Sequence, residues 1–235
     1  MANLPYTLEF KQVTGGGTKF AIIKTELSRV KPEIINTQMQ QKPHIGVNGG
    51  FFSADNGYDK PPTALKSISY WKGDSSSYSY NGTSSSQLSR KTFVSYKDSN
   101  NQTKAAYMYA KNLNEVLANY PTAQAVIGGN DYNRESWGSG LLVQAYDLAA
   151  WRTVLAWDNT YGYLIVTNGT SVTVPNLKVT LESVGINPVN SIVLDGSGST
   201  AMRVVQDDAI RWYGSPTHDR YIGNMVRVHG IDWFS

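Results

Sequence analysis

The run Ser191-Ile192-Val193-Leu194-Asp195-Gly196-Ser197-Gly198-Ser199-Thr200 carries the densest chemistry in the chain. A strand-favouring apolar stretch leads straight into an acid, and a loop of alternating glycine and hydroxyl follows. A carboxylate at a strand end is fixed by the sheet, and small residues behind it let a ligand approach the backbone. Successive main-chain N–H groups in such a loop can form an anion-binding concavity. The pattern thus pairs a rigid acid with a phosphate cradle. Read by itself, the same stretch is most simply a strand, a turn and a second strand.

Three other places could do chemistry. Asn48-Gly49-Gly50-Phe51-Phe52 follows the apolar run His44 to Val47. Its glycines permit close approach and Asn48 can hydrogen-bond, although a structural turn explains it as well. Arg152 stands among apolar residues at the start of a strand, where a buried cation needs an anionic partner, either a core carboxylate or a ligand. Asp219-Arg220 precedes Gly223-Asn224 and the last strand; alone, Arg220 reads as half of a surface ion pair.

Familiar sites can be struck out. Gly196-Ser197-Gly198 lacks the glycine two residues before the serine that a nucleophile elbow needs. It also lacks the lysine of a P-loop and the spacing of a dinucleotide fingerprint. His44, His218 and His229 are scattered, which argues against a zinc hydrolase. Asp55-Asn56-Gly57-Tyr58-Asp59 is acidic and turn-rich but misses the spacing of a calcium loop. No metal site is expected and no cofactor is called for, with a divalent cation left open.

Bulk properties narrow the class. At 235 residues, 40% hydrophobic and 11% aromatic, the chain can bury a substantial core and is no disordered segment. The formal charge of +3 comes without a dense Lys/Arg stripe, so a nucleic-acid partner is not expected. There is no cysteine, which excludes disulfides, thiolate nucleophiles and Cys-based metal sites. Fifteen tyrosines and six tryptophans suit sugar rings, though most such residues simply pack on strands. The start, Met1-Ala2-Asn3-Leu4-Pro5-Tyr6, reads as no signal peptide, and no apolar run is long enough to span a bilayer.

The elements that must position these residues are mostly strands. Tyr6 to Val13 and Lys19 to Thr25 alternate like a hairpin, and Pro32 to Gln41 reads as a short helix with Pro32 at its first position. Residues 72–90 form a long surface loop. Thr92 to Lys97 and Lys104 to Ala110 make a second hairpin. Asn112 to Glu115 resembles a capping box that opens a helix closed by Pro121. Strands are expected at Ala123–Ile127, Leu141–Tyr146, Thr153–Trp157, Tyr163–Thr167, Ile192–Leu194, Ala201–Gln206 and Met225–Val228. A helix from about Pro175 to Val184 places Leu177, Leu181 and Val184 on one face and stops at Gly185. The expectation is an α+β protein: a single domain over 1–235, with mainly antiparallel mixed sheet and a few short helices.

Taken in order, these pieces form one pattern. Asn-Gly-Gly-Phe-Phe comes first, then Arg-Thr before a strand, then a short helix ending at glycine. Leu-Asp-Gly-x-Gly-Ser-Thr follows, and last an Arg with Asn four residues on. The set resembles the phosphodiester glycosidase family over roughly residues 44–230, with 1–43 as an N-terminal hairpin and helix packed on it. The resemblance implies hydrolysis of the bond between a sugar's anomeric carbon and a phosphodiester. It carries Asn48, Arg152, Asp195, Gly196, Gly198, Ser199, Arg220 and Asn224 onto family positions. Ser197 departs from a third glycine, and Asn168-Gly169 stands where an acid and glycine are common.

On that resemblance, Asp195 is the candidate base for water or stabiliser of an oxocarbenium-like transition state, with Asn48 orienting sugar or water. Arg152 and Arg220 would bind phosphate oxygens, with Gly49, Gly50, Asn224 and the Gly196–Thr200 backbone alongside, Thr200 included. Glu135, in the extended loop after Gly128-Gly129, is the candidate second carboxylate. The partner expected is a sugar-1-phosphate glycan outside the cell or in a cell wall, such as wall teichoic acid, handled by a bacterial or phage protein. A non-catalytic glycan-binding module or a phage structural part is the competing expectation.

Overall fold

Alternation near the N-terminus produces the expected hairpin. In the computed structural model, which describes residues 4–15, 17–138 and 141–233, β1 (Tyr6–Gln12) pairs antiparallel with β2 (Lys19–Glu26). The chain continues through β3 (Val30–Gln38), β4 (His44–Asn48), β5 (Phe52–Ser53), β6 (Ala64–Leu65) and β7 (Ser69–Trp71). Next come β8 (Arg90–Lys97), β9 (Thr103–Ala110), α1 (Leu113–Asn119), β10 (Ala123–Gly128) and α2 (Leu141–Asp147). Then follow β11 (Thr153–Trp157), β12 (Tyr161–Thr167), α3 (Val174–Ser183) and β13 (Ser191–Val193). β14 (Ala201–Gln206), β15 (Ala209–Gly214) and β16 (Tyr221–Asp232) complete it. The fold is α+β and mainly antiparallel.

Two five-stranded sheets, ordered β1-β2-β12-β11-β13 and β15-β14-β4-β16-β3, share a core with a four-stranded sheet ordered β7-β10-β8-β9. Ala21, Ile23, Leu155 and Leu164 of the first sheet meet Val47, Met202 and Val226 of the second and Phe93 and Ile127 of the third. The opposite face of the first sheet, with Phe20, Ile22, Val154 and Ile165, is covered by Leu177 and Leu181 of α3 and Tyr146 of α2. Burial on both faces explains why Phe20-Ala21-Ile22-Ile23 is continuously apolar. α1 closes the third sheet with Leu113 and Val116; its N-cap Asn112 accepts from the Glu115 amide at 3.1 Å, as the capping pattern predicts.

Two expected elements are corrected. Val30–Gln38 is a strand, not a helix: Pro32 sits opposite Val226 on β3, the edge strand of its sheet, where its missing N–H breaks no ladder. Leu141–Asp147 is helical, not a strand. The short strands β5, β6 and β7 were not anticipated, nor was β15, whose turn from β14 is built on Asp207 and Asp208 with φ of 53° and 58°. That two-residue turn with both φ positive lacks the glycine that would advertise it.

Candidate active site

The ends of β4, β11 and β13 and the start of β14 meet at one rim, and Asn48 ties them together. Its side-chain amide donates to the main-chain carbonyl of Asp195 at 2.7 Å. Its oxygen accepts from Thr153 Oγ1 at 2.6 Å and from the Ala201 amide at 3.1 Å. The Asp195 amide in turn donates to the Gly49 carbonyl at 3.0 Å. Asn48 is 0% exposed and both ends of its amide are engaged within the protein. It therefore sets the position of the acid and does not line the cavity.

Asp195 opens into a cavity of about 250 Å³ lined by Phe51, Trp137, Leu148, Arg152, Gly196 and Ser197 among others. Burial against this apolar wall pushes its carboxyl up to about 6. The Ser199 hydroxyl, the Gly196 amide and the charges of Arg220 and Arg152 oppose the rise. Arg152 lines the cavity beside Asp195, whereas Arg220 does not line it and reaches the loop at Gly198; among the described residues neither guanidinium closes to ion-pair distance of the acid.

The two arginines are held differently. Arg152 is buried, and its guanidinium donates to three main-chain carbonyls: Val172 at 2.9 Å, Ala145 at 2.7 Å and Leu148 at 2.5 Å. Neither of the two anticipated partners, a core carboxylate or a ligand, is needed to satisfy these donors. Desolvation lowers it to about 10, which leaves it cationic at neutral pH. Arg220 is half-buried and takes part in no side-chain hydrogen bond among the described residues; it lies 3.7 Å over the ring of Tyr58. A methyl group on Gly198 would come within 2.3 Å of its Nη2, so glycine there makes room for the guanidinium.

The loop glycines serve close approach. A methyl on Gly196 would meet the Trp151 carbonyl at 2.8 Å, and one on Gly49 would meet Asn224 Oδ1 at 2.2 Å. Gly50 packs equally tightly on Ser67. Ser197 adopts φ of 58°, a left-handed conformation disfavoured for serine, and its exposed side lines the cavity. Two buried polar atoms near this rim, Thr200 Oγ1 and Asn224 Oδ1, have no protein partner. Such atoms are ordinarily satisfied by water or ligand.

Glu135 is not brought into this group. It is exposed on the turn Arg134–Trp137 and does not line the cavity, whereas Trp137 of the same turn does. The buried acid of this segment is Asp131, which sequence reasoning missed. It accepts from the Asn133 amide at 2.8 Å, Ser136 Oγ at 2.9 Å and the Tyr109 hydroxyl at 2.5 Å, and so folds the loop. Among the described residues, no second carboxylate lines the cavity with Asp195.

No protein-family model matches this chain, and no curated protein matches it in sequence. Solved structures share its architecture, an α+β fold of the kind found in a phosphodiester glycosidase domain. One is the catalytic domain of zebrafish N-acetylglucosamine-1-phosphodiester α-N-acetylglucosaminidase, auto-inhibited by its pro-peptide. The match covers 98% of this chain and 86% of that one, at a TM-score of 0.61 and 16% identity. A hypothetical protein from Synechocystis matches over 94% of this chain and 61% of its own, at a TM-score of 0.54 and 14% identity. At such identities the likeness is one of fold.

Proposed function

We propose that this protein is a hydrolase that cleaves the anomeric C–O bond of sugar-1-phosphodiesters. The observation that carries the reading is one carboxylate, Asp195, on a cavity that Arg152 also lines, with Arg220 packed on the adjoining Gly198 and no second acid among the described lining residues. An ordinary glycosidase needs a general acid to protonate its leaving group. A phosphate monoester, whose second pKa is near 6, departs without strong protonation. One carboxylate and a cationic cradle then suffice.

In this mechanism Asp195 takes a proton from water as it attacks the anomeric carbon, or shields the positive charge that develops there. Its elevated pKa keeps it a useful base near neutral pH. Arg220 receives the phosphate oxygens with its unengaged N–H groups, and the field of Arg152 adds to the attraction. The apolar wall of Phe51, Trp137 and Leu148 offers contact to a sugar ring or an N-acyl group. The neighbour of zebrafish acts, by its name, on N-acetylglucosamine 1-phosphodiesters. N-acetylhexosamine-1-phosphate units of an extracellular or wall glycopolymer, such as a teichoic acid, are the substrates to try first.

Phosphorus NMR on a panel of sugar-1-phosphate polymers and small α-N-acetylglucosaminyl phosphodiesters tests the reading, with and without chelator. New phosphomonoester signals are expected. Binding without product would replace the hydrolase by a glycan-binding module.

A further inference from the structure

We infer that Tyr58 is a positioning residue, which holds Arg220 in the orientation that receives an anion; the inference rests on the reading of Arg220 as phosphate-binding. Tyr58 lies on the connection between β5 and β6, about 160 positions before Arg220 in sequence, and nothing in its local pattern marks it. In the fold its ring centroid is 3.7 Å from Arg220 Cζ. The residue after Arg220 is joined to Tyr58 through the backbone as well, where the Tyr221 amide donates to the Tyr58 carbonyl at 2.9 Å.

The connection is a built arm. Gly57 N–H donates to the Ala54 carbonyl at 3.0 Å and Thr63 N–H to Ser53 at 2.9 Å. Thr63 Oγ1 donates to the Asp55 carboxylate at 2.7 Å, and Phe52 meets the Tyr58 ring edge to face at 6.3 Å. The acidic stretch that resembles an incomplete calcium loop thus serves to present an aromatic face.

The physical consequence concerns donors. A guanidinium stacked on a ring uses its π face and keeps its N–H groups free in the plane. Gly198 lets it approach the Asp195 loop, and no protein acceptor among the described residues engages it. An unstacked arginine would sample many rotamers, and binding would have to immobilise it; the ring does this beforehand. Tyr58 is 49% exposed, so its side chain is open to solvent rather than locked in the core.

The test is titration of the full chain with N-acetylglucosamine 1-phosphate and with inorganic phosphate, followed by calorimetry and by the Arg220 Nε–H resonance. Loss of an exposed cation–π contact corresponds to about a two- to fivefold weakening. Tyr58→Leu is expected to weaken binding by that factor and to shift the Arg220 resonance away from its ring-current position. Tyr58→Phe is expected to restore both. Gly198→Ala, which pushes Arg220 from its place, is expected to weaken binding without touching the ring. Unchanged affinity in Tyr58→Leu, alongside loss in Arg220→Ala, would overturn the role of Tyr58 and leave the phosphate reading standing. Equal affinity in wild type and Arg220→Ala, or no binding at all, would overturn both.

Discussion

Asn48 Nδ2 holds the main-chain carbonyl of Asp195 at 2.7 Å across 147 positions of sequence. The candidate acid is therefore positioned through its backbone by a residue that never reaches the cavity. Asn48→Ala would leave that carbonyl, the Ala201 amide and the Thr153 hydroxyl without their partner. At about 1–3 kcal/mol for each buried group left unsatisfied, a loss of about 3 kcal/mol or more is expected. Thermal melts, read together with the activity of whatever remains folded, measure it.

Replacing the acid itself acts in opposite directions on turnover and stability. Asp195→Asn is expected to reduce turnover by about 10²–10⁴-fold, the usual worth of a general base. Its carboxyl has a folded pKa of about 6 against an ordinary 3.8. The folded state thus binds this proton more tightly than the unfolded one, and ionisation costs stability as pH rises through that window. The cost reaches about 3 kcal/mol above pH 6 and fades below pH 4. The variant should melt higher than wild type at pH 7.5 and nearly alongside it at pH 4. Equal melting at both values would refute the raised carboxylate.

For the wild type, the rate on a phosphodiester substrate is expected to climb with pH through about 6 as Asp195 ionises. A pH profile of kcat/KM without an ascending limb there would exclude Asp195 as the base.

Arg152 is expected to couple stability to anion binding. Arg152→Ala orphans the carbonyls of Ala145, Leu148 and Val172, so several kcal/mol of stability should be lost. Arg152→Lys keeps the charge but cannot reproduce the three-way fork. An intermediate melting temperature with largely retained phosphate affinity is the expected result, and calorimetry beside a melting curve separates the two effects.

Away from the site, the Glu33 carboxyl is held down to about 2, first by its hydrogen bond with His44 and then by Arg227 and Lys31. His44 Nε2 lies 3.0 Å from Glu33 Oε1 and its Nδ1 lies 2.5 Å from Asp232. A depressed carboxylate stabilises the fold above its unfolded pKa of about 4.5 and loses that contribution as pH falls through 2. Glu33→Gln should cost up to about 3 kcal/mol at pH 7 and progressively less below pH 4.5. Denaturant titrations at pH 7 and pH 3 compare them.

The strands around the acid were readable because their periodicity is local. Thr153–Trp157 and Ala201–Gln206 begin and end where the pattern puts them. Asp195, Arg152 and Arg220 were readable as candidates because of the loop's composition, the apolar context of Arg152 and the ordered resemblance. What the sequence hid depends on distant partners. Leu-Leu-Val-Gln-Ala-Tyr is apolar and short, a pattern that suits a strand or a helix, and packing against α3 decided for the helix. Asn48 looked like a ligand-facing amide because none of its three partners is near it in sequence. Tyr58 carried no signal, since a ring over a guanidinium appears only once the chain is folded.

The carbonyl cage around Arg152 also fastens one wall of the cavity, because Ala145 and Leu148 both line it. Its guanidinium clamps the C-terminal end of α2 through Ala145 and Leu148, while Asp131 knots the upstream turn. Trp137 on that turn, and Gln144 and Leu148 around α2, line the cavity. On the proposed reading, the lining that meets the sugar can be altered without moving the acid, which hangs from Asn48.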